Sequence, residues 1–116
     1  MNQIDARELI RDVLPKLRAT RNLIDTILNE RIKTCYDEDE RRRLTILQNE
    51  FTLEMTMIRM NLEHLLKRYS DQLEAASQGE QHFQSPILTI DDAEATAIER
   101  AKSLYARAYQ LQTGWL

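Results

Sequence analysis

Residues 38–76, EDERRRLTILQNEFTLEMTMIRMNLEHLLKRYSDQLEAA, decide the fold. Leu44, Leu47, Phe51, Met55, Ile58, Leu62, Leu65, Leu66, Tyr69 and Leu73 recur there at the three-and-four spacing of a straight α-helix. Neither glycine nor proline interrupts the stretch. The opposite side is unusual. Ile46, Leu53, Met57 and Met60 form a second apolar row about half a turn away, and His64 continues it. One neighbouring helix cannot cover both rows.

Toward the N-terminus, Cys35-Tyr36-Asp37 marks a boundary. Asp37 is placed to accept from the first amides of the long helix, and Glu40 is spaced to reach back as in a capping box. Before it, residues 1–35 predict a first helix, with Ile10, Val13, Leu17, Ile24, Ile27 and Leu28 on one face and Leu9 and Leu14 broadening it. Pro15 lies inside this helix. A proline there deletes a donor and crowds the preceding turn, at a cost on the order of 3 kcal/mol unless the helix yields. A kink or short break is expected near Val13 and Leu14.

Toward the C-terminus, residues 77–88 lose the helical period and gather Gly79, two serines and Pro86, which predicts a polar linker. A third helix is expected over residues 89–113, capped by Asp91 and Glu94 and carrying Ala97, Ala101, Leu104, Ala108 and Leu111 inward. The segments predict one all-α domain over residues 1–116, with the long helix spanning 37–76. They form a long antiparallel helical hairpin plus a third C-terminal helix, closing as a three-helix bundle or as an oligomeric helical bundle.

Composition agrees with this outline. The chain has 116 residues, 42% hydrophobic and 30% charged, enough apolar material for one core. Two glycines and two prolines are too few for the turns of a β-rich domain. Sixteen basic against 19 acidic side chains give a net charge of -3 and no global field for a polyanion. Cys35 alone cannot form an internal disulfide, and the opening MNQIDARELI lacks a secretory pattern, so a cytoplasmic or other reducing compartment is expected. No apolar run approaches the roughly 20 residues that span a bilayer, and no membrane crossing is expected.

Catalytic chemistry finds no seat. No Glu stands three residues before His64 or His82, so the paired-ligand spacing of a bundle metal site is missing. Gly79 and Gly114 are too far apart for a phosphate-cradling loop, and Cys35 has no histidine near it in sequence. Glu50, Glu54 and Glu63 do not share one narrow helical face. The expectation is a protein that is not an enzyme and needs no cofactor or metal.

What remains is surface. The row Ile46, Leu53, Met57 and Met60 is expected to face a protein partner or a second copy, bordered by Arg59 and His64, unless the third helix covers it. Trp115 is a further candidate anchor for a partner pocket. Arg7, Arg11, Arg18 and Arg21 would form one stripe on a continuous first helix. They are expected either to pair with Glu8, Asp12 or Asp25 on a solvated face, or to contact nucleic-acid phosphates.

The stretch LEMTMIRMNLEHLLKRYSDQLE, through Glu54, Ile58, Arg59, Leu62, Leu66 and Glu74, resembles a helix of the GINS subunits, scaffold proteins of the replicative helicase. Leu88-Thr89 followed by acids is similar to the start of that family's next helix, whereas the family's Arg-x-Arg-Leu reads Lys67, Arg68, Tyr69, Ser70 here. The resemblance implies a non-enzymatic subunit that assembles through long helices.

Overall fold

The computed structural model describes residues 2–78 and 86–113, and among these the chain is mostly helical with one small sheet. Strand β1 (Asn2–Asp5) pairs antiparallel with strand β2 (Ile87–Ile90), Ile4 opposite Leu88 and Asn2 opposite Ile90. This corrects the helix predicted from residue 1, and the linker end and helix start predicted at 87–89; residues 79–85 of the predicted linker lie outside the described residues. Pro86 cannot donate, yet its carbonyl accepts from the Ala6 amide at 2.9 Å, so the pairing runs into the first turn of the following helix. Ile4, Leu88 and Ile90 are buried beneath the two strands.

Helix α1 covers residues 6–34, with Asp5 as its N-cap. It is not a uniform α-helix, because Leu9–Val13 and Ile24–Leu28 are π-helical turns. The first of these is the answer to Pro15. The Leu14 amide bonds to the Leu9 carbonyl five residues back, widening the helix just where the proline ring would crowd a normal turn. The backbone therefore stays helical where a kink or short break is predicted, with a π turn in place of the break.

The π turns also set which side chains are buried. A regular helix gains 3.6 residues per turn, so a strict four-residue spacing drifts off the face; a wider turn holds it there. Leu9 and Val13, then Thr20, Ile24 and Leu28, are fully buried at that spacing, while the predicted Ile10, Leu17 and Ile27 are only partly covered. Thr20 tolerates burial because its hydroxyl donates to the Lys16 carbonyl at 2.7 Å.

Helix α2 (Glu38–Arg68) starts at Asp37, whose carboxylate accepts from the amides of Asp39 and Glu40. Glu40 does not complete the box. Its carboxylate takes the Arg43 guanidinium instead, at 2.6 and 3.0 Å. The long helix predicted over 37–76 is interrupted at Tyr69 (φ -116°, ψ 27°) and resumes as α3 (Ser70–Ser77). At the break the Tyr69 hydroxyl engages the Thr89 backbone at 3.3 and 3.4 Å, and the Arg68 guanidinium lies 5.0 Å from the tyrosine ring.

Helix α4 (Asp92–Gln112) begins with both halves of the Asp91–Glu94 capping box in place. Its Ala97, Ala101, Leu104, Ala108 and Leu111 are buried, the alanines letting it lie close to α1 and α2, both of which it packs against. Phe51, Ile58, Leu62 and Leu65 of α2 complete the same core.

Candidate interaction surfaces

α2 keeps its second apolar row in the open. Ile46 is 52% exposed, Leu53 63%, Met57 48% and Met60 62%, and Glu50 and His64 beside them are exposed as well. α4 does not cover the row because it occupies a different face of α2. Arg107 sits 4.9 Å from the Phe51 ring and reaches Glu54 at 3.7 Å. A cleft of about 350 Å³ between Met57 and Ile58 on one side and Ala93, Thr96 and Arg100 on the other marks where that contact stops. With Glu50 included, the residues from Ile46 to His64 alternate in steps of four and three, the seam spacing of paired helices.

A second surface lies on the other flank of α2. Arg18 and Arg21 of α1 and Arg59 of α2 border a groove of about 200 Å³, with Leu14, Leu17, Met55, Leu62 and Leu66 along it. None of the ion pairs among the described residues involves these three arginines. Of the acids expected to neutralise the stripe, Glu8 is engaged elsewhere by Lys102 at 3.0 Å and Asp12 by Lys16 at 2.6 Å. Glu8 in turn holds the Lys102 ammonium above its ordinary pKa.

The predicted stripe is thus redistributed. Arg7 and Arg11 do not line the groove, and Arg59, predicted to border the apolar row, lines it instead, roughly a third of a turn away from that row. Sequence spacing cannot reveal such a site, since its two helices meet only through tertiary packing.

The other candidates are dispersed. Glu54 pairs with Arg107, Glu63 with Lys67 at 3.1 Å, and the Cys35 thiol donates to the Asp37 carbonyl at 3.3 Å. Among the described residues, no three His, Cys, Asp or Glu side chains come together as metal ligands, and no helix is long and apolar enough to cross a membrane. Trp115 and His82 lie outside the described residues. Tyr105 and Tyr109 stack obliquely on each other, 6.2 Å between ring centres.

No family model, curated protein or solved structure matches this chain.

Proposed function

We propose that this chain is a non-enzymatic assembly protein whose α1–α2 hairpin and α4 form a bundle that pairs with a second copy along the open row of α2. The observation that carries the reading is the exposure of Ile46, Leu53, Met57 and Met60 on a helix whose other apolar face is already buried. Soluble chains seldom leave large apolar side chains in a line, and the alternating four-and-three steps suit interlocking with a like helix.

The polar members of the seam select the direction. Parallel pairing in register would set Glu50 against Glu50 and His64 against His64. Antiparallel pairing centred between Leu53 and Met57 sets Leu53 against Met57, Glu50 against Met60 and Ile46 against His64. Between Ile46 and His64 it places no like charges face to face. The seam is short, about 28 Å of helix, so an affinity around the micromolar range fits better than an obligate dimer.

The experiment is the double substitution Leu53→Asp with Met57→Asp. It is expected to leave helix content unchanged by circular dichroism while abolishing self-association; loss of helix content instead would place these side chains in the core. The GINS-like character of residues 53–74 belongs to the same class of proposal, since those subunits also assemble through long helices.

A further inference from the structure

We infer that the groove between α1 and α2 docks an acidic amphipathic helix from a partner protein, its apolar side chains on Leu17, Met55 and Leu66 and its carboxylates on Arg18, Arg21 and Arg59. The inference uses residues apart from the α2 row and stands without self-association.

Charge is the first reason. In a chain with more acids than bases, three guanidinium groups surround one apolar depression, and none joins an ion pair among the described residues. Guanidinium forks are matched to carboxylates, which they bind in two-pronged fashion.

Shape is the second. A volume of about 200 Å³ is below the range of roughly 300–1,000 Å³ in which pockets enclose a small molecule, but it suits anchoring side chains. The walls are two long helices, and α4 already packs against both of them. The groove offers a further helix a seat of the same kind, the mode in which an amphipathic helix is read through anchors one turn apart. The leucine and methionine floor argues against nucleic acid, because a phosphodiester backbone gains nothing from it and no aromatic side chain lines the groove for base stacking.

The test is selection of displayed random peptides on the full chain, with the enriched sequences then measured by fluorescence anisotropy. Enriched peptides should carry Asp or Glu beside Leu, Phe or Met at helical spacing. The variant Arg18→Glu, Arg21→Glu, Arg59→Glu should weaken them by about tenfold or more. Met55→Trp, which fills the groove and keeps all three charges, should weaken them comparably. The Leu53→Asp, Met57→Asp protein should bind normally, which separates this site from the row. Absence of enrichment, enrichment without acids, indifference to either groove variant, loss of binding in the row variant, or displacement by a short single-stranded oligonucleotide would each overturn the inference.

Discussion

Arg68 grips Glu94 with both prongs of its guanidinium, Nη2 donating to Oε1 at 2.9 Å and Nη1 to Oε2 at 3.2 Å, and the carboxylate so held is only 2% exposed. The same Nη2 donates to the Thr89 carbonyl at 3.0 Å, while Glu94 Oε1 also accepts the Asp91 amide at 2.9 Å. One ion pair thereby ties the end of α2 to β2 and to the first turn of α4. It lies at the last residue before the break of α2 at Tyr69. Arg68 and the Thr89 amide beside the phenol lower the Tyr69 pKa, and Glu94 raises that of Arg68.

Arg68→Gln removes the cation paired with the buried Glu94 carboxylate, and a buried charge without a partner is costly. The urea midpoint should fall clearly. Lys67→Gln serves as the control, because its partner Glu63 is exposed and surface pairs contribute little. Equal midpoints for the two variants would mean that the clasp adds nothing.

Asp91→Ala deletes the side chain that accepts the Glu94 amide at 2.7 Å and opens the capping box of α4. Denaturant unfolding should show a loss of about 1 kcal/mol, in the ordinary range for an N-cap.

The two faces of α2 should respond unequally to truncation. Leu62→Ala, at a position 1% exposed, should cost about 2–5 kcal/mol in chemical unfolding. Leu53→Ala, in dilute protein where the chain is a single copy, should fall within about 0.5 kcal/mol of the unaltered chain.

Arg43 lowers the Glu40 pKa, first by its hydrogen bond and then by its charge. Because the folded value lies below the unfolded one, the pair stabilises the fold above the ordinary carboxylate range, and that contribution is lost as pH falls through the lowered value. An NMR titration of the Glu40 side chain should give a midpoint below that of an unpaired glutamate. Arg43→Gln should restore the ordinary value.

Much of the helical framework was legible because it depends on local rules. The 3.6-residue period of residues 38–76 needs no partner to be read, and neither do the Asp37 and Asp91 caps or the small inward residues of α4. Pro15 signalled trouble in α1, but its resolution as a π turn depends on keeping Leu9 and Val13 on one buried face, which only packing decides. The strands escaped because each is four residues long and Asn2–Asp5 has no apolar alternation. Ile87–Ile90 did carry a signal, three β-branched residues between Pro86 and a helix cap, with alternate residues buried. The open row was visible as a second stripe. The arginine groove was not, since Arg59 joins Arg18 and Arg21 only once α1 and α2 lie side by side.

The most direct measurement is the solution mass of the full chain by light scattering behind size exclusion, from about one to several hundred micromolar, a range that brackets micromolar dissociation. Pairing along α2 predicts a mass that rises with concentration toward two chains, and a single-chain mass throughout for the Leu53→Asp, Met57→Asp variant. A single-chain mass for the unaltered protein at every concentration, or a dimer that survives both substitutions, would contradict it.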